Sequence, residues 1–223
     1  MNTFKEIDAL IKARMSNDVE EIYPVYDGIV NDHEYSNAKY KILWILKEPH
    51  DKDGGNWYMK DFIGNKDRLR EYRNWPRTFN PIIYVTYSIL NGFSSWNELD
   101  DTSENPDMID VLRKIAYINL KKIPGETVSV PDVIQKAYEE NKDIILKQIE
   151  LCDPNMIIGG STMSIIANDL GIGPLIEKNG IKCFATNEKI YIDAYHPNQK
   201  SIPQQIYCDS IINTIKDWAT SKK

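Results

Sequence analysis

The sequence predicts an α/β fold of three layers, an α/β/α sandwich in which helices cover both faces of a mostly parallel sheet. Strand-like apolar runs alternate with amphipathic helical segments along the whole chain, which is the pattern of such folds. The run Lys-Ile-Leu-Trp-Ile-Leu at 41–46 is almost continuously apolar, as a parallel strand buried on both faces requires. No internal repeat, low-complexity segment or linker interrupts the pattern. We therefore expect a single domain over residues 1–223.

The beginning of the chain predicts a helix, a buried strand and a long loop. Thr3 and Glu6 form a capping-box pattern ahead of apolar residues at helical spacing, which predicts a helix over 3–15. The first parallel strand is the run at 41–46. The segment 50–78 combines glycines with many aromatic residues and predicts an irregular loop, because loops of this length are functional or disordered and aromatic residues argue against disorder.

The rest of the chain continues the alternation, and its helix ends are marked by Asn-Pro and Asn-Gly pairs. Such pairs supply the N-cap, the proline of the first turn and the glycine that ends a helix. In chain order we predict a helix at 80–91, a short helix from 105, a strand at 115–120, a helix at 131–151, a strand at 156–158, a helix from 162 to about 170, a hairpin-like pair of strands at 181–184 and 189–194, and a last helix at 203–218.

The charge of the chain is uneven. Its net charge of −6 gives no attraction to nucleic acid through the field of the whole molecule. The segment 60–77 is nevertheless rich in lysine and arginine, whereas 98–110 carries six acidic residues and no basic one. This asymmetry allows one local anion-binding face on an acidic protein. Two solvated loops of opposite sign would explain it equally well.

The cysteines and the hydropathy pattern exclude several protein classes. Three scattered cysteines, Cys152, Cys183 and Cys208, lack the spacing of a disulfide framework, a zinc site or an iron–sulfur cluster, so we expect free thiols. No apolar run approaches the roughly 20 residues that cross a bilayer. Acidic residues inside the first helix argue against a signal peptide. We therefore expect a cytoplasmic protein without a membrane partner.

Polar residues follow each predicted parallel strand. In open parallel sheets, ligands bind at the carboxyl ends of the strands. These ends read Lys47-Glu48-Pro49-His50, Asn119-Leu120-Lys121-Lys122, Gly159-Gly160-Ser161-Thr162 and Tyr195-His196-Pro197-Asn198. An acid, an amide, a glycine turn and an imidazole would thus meet at one edge of the sheet, in a site assembled from four parts of the chain.

Three of these residues have chemistry that suits a catalytic or binding role. Glu48 would act as a general base on water or offset a developing cation, or else form a salt bridge. Asn119 interrupts an apolar strand, and its amide offers a donor and an acceptor that match the edge of a pyrimidine, although a buried asparagine also bonds to backbone. His196 would donate a hydrogen bond to a developing oxyanion, or lie in a surface loop.

Two further segments have an anion-binding or base-stacking composition. Gly159-Gly160-Ser161-Thr162 would leave free N–H groups at a strand-to-helix turn, where anions bind, or would only form a tight turn before a capped helix. Trp57 and Phe62 lie among arginines in the loop at 50–78. Aromatic rings beside cations suit unstacked nucleotides, but the same rings would also pack as a cover over the core.

The order of these motifs resembles that of the uracil-DNA glycosylase superfamily. The first motif of that family is a strand followed by Gly-x-Asp/Asn-Pro, which here reads Leu46-Lys47-Glu48-Pro49. The base-reading asparagine of the family matches Asn119, and its His-Pro-Ser loop matches His196-Pro197-Asn198. Leu46, Glu48 and Asn198 depart from the family pattern, and the cysteines that hold a cluster in one branch are missing.

The resemblance implies a uracil-DNA glycosylase-like fold and hydrolysis of the N-glycosidic bond of uracil or a related damaged base, as in base-excision DNA repair. Glu48 would position water, His196 would stabilise the departing base, Asn119 would read the base edge and Ile202 would fill the vacated stack. The other implied substrate-binding residues are Pro49, His50, Trp57, Phe62, Gly159, Gly160, Ser161 and Asn198.

The implied partner is DNA, either single-stranded or with the target base extruded, held by the basic and aromatic loop. Neither a metal nor an organic cofactor is implied, and no protein partner is inferred. The alternative is a non-catalytic nucleotide or nucleic-acid binding protein on the same fold. An unrelated α/β hydrolase is a third possibility, which the lack of a G-x-S-x-G motif disfavours.

Overall fold

In the computed structural model, which describes residues 2–221, a seven-stranded sheet separates two layers of helices. Two 3₁₀ helices, Trp96–Glu98 and Pro106–Lys114, precede the strand β5. The other elements in chain order are α1 (Phe4–Met15), β1 (Val25–Tyr26), β2 (Gly28–Ile29), α2 (Asp32–Ser36), β3 (Ile42–Leu46), β4 (Trp57–Tyr58), α3 (Met59–Ile63), α4 (Lys66–Glu71), α5 (Trp75–Leu90), β5 (Ile115–Asn119), α6 (Pro131–Cys152), β6 (Met156–Gly160), α7 (Met163–Ile166), β7 (Ile176–Lys178), β8 (Ile181–Ala185), β9 (Ile190–Ala194) and α8 (Gln204–Thr220).

The sheet has the strand order β2-β5-β3-β6-β9-β8-β7. Its four central strands, β5, β3, β6 and β9, are mutually parallel. The outer strands β2 and β8 run antiparallel to their neighbours, and β7 pairs antiparallel with β8. The strands β1 and β4 form a separate parallel pair. The predicted α/β class with a mostly parallel sheet is therefore confirmed.

The central strands have two different apolar faces. All five residues of β3 are buried, and alternate side chains belong to different clusters. Trp44 and Leu46 pack with residues of α5 and α8, whereas Leu43 and Ile45 pack with residues of α6. The register pairs Leu46 with Asn119, which places Asn119 on the α5 side by the two-residue period of a strand.

Several predicted elements agree with the structure. The first helix begins after Thr3, whose side chain accepts the N–H of Glu6 at 3.3 Å. The strands at 41–46, 115–120 and 156–158 and the hairpin of β8 and β9 are all present, and the 105 segment is a 3₁₀ helix. All three cysteines are free and buried. Within residues 2–221, no helix combines the length and the apolar character that a bilayer crossing needs.

The prediction of an irregular loop over 50–78 is wrong. The segment contains β4, α3 and α4, and α5 begins at Trp75 rather than at Asn80. Pro76 occupies the first turn of α5, where no N–H is needed, whereas Pro81 lies inside the helix. The helix predicted from 162 to 170 shrinks to α7, only four residues long. The strands β1, β2 and β7 have two or three residues, too few for a periodic pattern.

A buried ion pair joins the edge of the sheet to its centre. The Lys122 ammonium and the Asp27 carboxylate hydrogen-bond to each other, and both side chains are 0% exposed. Asp27 also accepts the backbone N–H of Asn119 at 2.8 Å and the Gln148 amide at 3.1 Å. Burial lowers the pKa of Lys122, which the negative Asp27 opposes.

We expect Lys122→Met to lower the free energy of unfolding by about 3–5 kcal/mol, since it leaves the Asp27 carboxylate buried without its cation. The double variant D27N/K122M should recover most of that loss, because neither remaining side chain carries a charge. Urea titrations of the three proteins would measure both effects. Equal instability of the single and double variants would show that packing, not the unpaired charge, sets the cost.

Candidate active site at the carboxyl edge

The ends of four neighbouring parallel strands meet at one edge of the sheet. Asn119 ends β5, Glu48 follows β3, Gly160 ends β6 and His196 follows β9, and these strands lie side by side in that order. Three inter-strand spacings separate the first from the last, or roughly 14 Å between backbones. The four strand ends thus lie within a short stretch of one edge of the sheet.

Asn119 has a buried amide without partners. The residue is 0% exposed, and neither its Nδ2 nor its Oδ1 makes a hydrogen bond. Only its backbone N–H is held, by Asp27. A buried polar group left unpaired costs about 1–3 kcal/mol, so such groups are uncommon in native folds. The amide therefore has one donor side and one acceptor side that no polar group of residues 2–221 satisfies.

Glu48 is already paired. Lys121 donates to its Oε2 at 2.6 Å and also donates to the backbone oxygens of Ile123 and Pro124 at 2.9 and 3.2 Å. Gly125 packs against the carboxylate so closely that a Cβ there would lie 1.9 Å from Oε2. The structure thus shows the salt bridge that the sequence left open for this residue, and Glu48 is not a free base.

His196 is held as a hydrogen-bond donor. Its Nδ1 accepts the backbone N–H of Asn198 at 3.2 Å, so the neutral ring carries its proton on Nε2. Burial, together with the smaller effect of the positive charge of Lys47, lowers the pKa of His196 to about 4. At neutral pH the ring is therefore uncharged and offers Nε2–H, which is the form needed to stabilise a developing anion.

The glycine turn positions His196 rather than offering free N–H groups. Gly160 lies inside β6, paired with β9, and a Cβ there would come within 2.3 Å of Leu46 Cδ2 and 3.1 Å of Pro197 Cδ. Ser161 adopts a φ of 59°, donates its N–H to Ala194 and accepts the N–H of His196 at 2.9 Å. The predicted phosphate grip of Gly159, Gly160 and Ser161 is therefore not available from these amides.

A row of aromatic rings leads from the loop after β3 to β5. Asp51 fixes its first ring by accepting the Trp57 Nε1–H at 2.7 Å. Ring centroids then follow at 6.0 Å from Trp57 to Phe62, 5.9 Å to Phe79 and 6.1 Å to Tyr117 on β5. Tyr117 and Asn119 are two residues apart and share a face of the sheet. The rings thus pack over the core beside Asn119, as the second interpretation of this segment predicted.

The remaining site residues lie at different depths. Pro49 is buried, His50 and Asn198 are exposed, and Ile202 packs against the α5 side of the core rather than standing free as a wedge. His50 Nδ1 lies 3.3 Å from the Gly125 oxygen, which ties the loops after β3 and β5 together. His50 and Pro49 therefore shape the loop that carries Glu48.

The basic segment 60–77 divides between the two edges of the sheet. Leu90 and Asn91 at the end of α5 border the same hollow as Lys114, just before β5. The helix therefore runs from the carboxyl edge back to the amino edge. The exposed Arg73 and Arg77 at its start lie toward the carboxyl edge.

No protein-family model and no curated protein matches the chain. Across residues 2–221, no group of three or more His, Cys, Asp or Glu side chains is arranged to hold a metal ion.

Sequence reasoning missed three charged residues next to the site, Asp27, Lys121 and Lys122. The two lysines come just after the apolar strand β5. Their position predicts that both ammonium groups lie near the carboxyl end of that strand. Asp27 follows only a two-residue strand, so its position gives no comparable signal.

The depressed pKa of His196 predicts how stability depends on pH. Protonation is less favourable in the folded than in the unfolded state, so the stability from His196 is present above pH 6.5 and is lost as pH falls toward 4. The variant H196N should flatten the curve of unfolding free energy between pH 6.5 and 4. The control H33N replaces an exposed histidine of α2 and should follow the wild type; identical curves for all three proteins would contradict the burial of His196.

Proposed function

We propose that this protein is a DNA glycosylase that recognises uracil or a related damaged base at the carboxyl edge of the sheet and hydrolyses its N-glycosidic bond. The observation that carries the proposal is the unpaired, buried amide of Asn119. The motif order that resembles the uracil-DNA glycosylase superfamily supports it, and so does the mostly parallel sheet with these motifs on adjacent strand ends. A uracil-DNA glycosylase-like arrangement of the whole domain is part of the proposal.

The amide of Asn119 fits the edge of a uracil-like base. That edge offers an N–H donor beside a carbonyl acceptor, which complement Oδ1 and Nδ2 of the side chain. Because Asn119 is fully covered, the extruded nucleotide has to displace part of that cover. The half-buried Trp57 and Phe62 belong to the aromatic row that ends at Tyr117, on the same face of the sheet as Asn119. These rings would then stack on the base, and stacking on an aromatic side chain contributes about 1–3 kcal/mol per base.

His196 would assist the departure of the base. The bond between C1′ of the sugar and the base nitrogen breaks, and its electron pair remains on the base. Nε2–H of His196 donates a hydrogen bond to the oxygen on which this charge accumulates, a contribution typically worth on the order of 100-fold in rate. Water then adds to C1′ and releases its proton to solvent, which leaves an abasic sugar and the free base.

A second function, base binding without hydrolysis, is favoured by the ion pair of Glu48 with Lys121. The carboxylate is 7% exposed and bonded at 2.6 Å, so it does not lie free to activate water. The same Asn119 and aromatic rings would then hold a nucleotide or an extruded base without cleaving it. The two functions share one recognition site and differ only in the chemical step.

Activity on a single-stranded oligonucleotide containing one uracil would test the proposal. We expect wild-type protein to create alkali-labile abasic sites, N119A to lose activity through weaker base recognition, and H196A to lose on the order of 100-fold. The isosteric N119D, which loses the amide donor, is the matched control for shape and should also be impaired. Binding of the oligonucleotide without cleavage would support the second function, and neither binding nor cleavage would overturn both.

The basic and aromatic residues make separable contributions to DNA binding. Single-strand affinity should fall with salt at a log–log slope of about −0.7 per phosphate contact. The variant R73Q/R77Q should flatten this slope, whereas W57A should weaken binding at nearly constant slope, because stacking displaces few ions. Fluorescence titrations at several salt concentrations measure both. An unchanged slope in R73Q/R77Q would show that these exposed arginines contact solvent only.

A further inference from the structure

A cavity of about 410 Å³ lies beside the edge strand β2, between α2 and the pair of short helices α3 and α4. Three basic side chains line it, namely Lys60 of α3, Arg68 of α4 and Arg113 just before β5. Asp61 is the single acidic residue of the lining. The fold thus places Lys60 and Arg68 of the basic segment 60–77 near Arg113, which is distant in sequence.

The cavity lies away from the Asn119 site. Val30, which lines it, donates its N–H to Ile115 at the first residue of β5. Asn119 is the last residue of that strand, and four residues of strand span roughly 13 Å. The cavity is therefore at the amino edge of the sheet, whereas the proposed base site is at the carboxyl edge.

The polar groups of this cavity are mainly hydrogen-bond donors. The Oδ1 of Asn31 accepts the N–H of Glu34 at 3.0 Å, and the Oδ1 of Asn65 accepts the N–H of Arg68 at 3.1 Å. Both asparagines line the cavity, and with their oxygens used as helix caps they have only NH₂ donors left. A lining of amide and guanidinium hydrogen-bond donors favours a ligand that is rich in hydrogen-bond acceptors.

The arginines retain donors for such a ligand. Arg113 donates from Nε to Glu34 and from Nη1 to the Gly64 oxygen at 3.4 Å, and its Nη2 makes no hydrogen bond to residues 2–221. Arg68 forms no ion pair with any residue in 2–221. Lys60 lies 5.0 Å from the centre of the Tyr58 ring. The cavity therefore carries three positive charges, which Asp61 in the lining, Glu34 beside Arg113 and Asp8 near Lys60 offset in part.

We propose that this cavity is a phosphate-binding site. A phosphate group offers three or more acceptor oxygens, and arginine matches two of them at once with parallel N–H donors. The volume falls within the usual range of small-ligand sites, about 300–1,000 Å³. The phosphate would belong either to a free phosphorylated small molecule or to the backbone of a nucleic acid, since both present the same group.

Titration of ¹⁵N-labelled protein with inorganic phosphate, at ionic strength held constant with chloride, tests the site. We expect saturable shifts of the Gly64 and Asn65 amides, binding about tenfold weaker in R68Q, since each lost charge-assisted hydrogen bond costs this much or more, and tighter binding in D61N. The matched control is R70Q, which makes the same change on the same helix but outside the cavity. Absent or unsaturable shifts, or equal weakening in R68Q and R70Q, would overturn the proposal.

Competition experiments identify the source of the phosphate. A nucleoside monophosphate that displaces inorganic phosphate, while a short single-stranded oligonucleotide does not, assigns the site to a small molecule. Displacement by the oligonucleotide, lost in R68Q and kept in R70Q, assigns it to a nucleic-acid backbone. Both outcomes support a phosphate site. The variant N119A should leave phosphate binding unchanged, so failure of the glycosylase proposal and failure of this one are distinguishable.

Discussion

The arrangement of the carboxyl edge depends on the buried pair of Asp27 and Lys122. Taking two charges out of water costs several kcal/mol for each ion, and only good geometry with further hydrogen bonds offsets the cost. Asp27 meets this condition, because it accepts from Lys122, from the Gln148 amide of α6 and from the N–H of Asn119. The Lys122 oxygen accepts the N–H of Val25 on β1 at 2.9 Å. One ion pair thus fixes β1, the end of β5 and α6 relative to one another.

This pair fixes the backbone from which the buried, unpaired amide extends. Asp27 accepts the backbone N–H of Asn119 in a charge-assisted hydrogen bond, which holds the end of β5 in place. A site kept rigid in this way loses little conformational freedom when a ligand binds. Asp8 of α1 lies in the same electrostatic environment, where burial and the negative Asp27 raise its pKa to about 6.

The sequence predicted the central elements because their signals are local and repeated. β3 and β5 are apolar over five residues, and α1 has a cap and a periodic apolar face. The short strands β1, β2 and β7 form only through partners distant in sequence, so no local pattern marks them. The sequence singled out Asn119 and His196 as candidates because a polar residue that interrupts or ends an apolar strand is conspicuous. The sequence did not reveal that Lys121 pairs with Glu48. These two residues follow β5 and β3, and they meet only because the two strands pair in the register that the sheet shows.

The charges of the carboxyl edge favour one step of the proposed reaction over the other. Lys121 neutralises Glu48 at 2.6 Å, which weakens any role of that carboxylate in activating water or balancing a positive sugar. Lys47, in contrast, lies close enough to His196 to lower its pKa. This positive charge, which adds to the effect of burial in keeping the imidazole neutral, would also stabilise negative charge on a departing base next to it. In the proposed reaction, the edge would therefore contribute mainly by stabilising the leaving group, and the rate would depend on how easily the base departs, which favours damaged or electron-poor bases over normal ones.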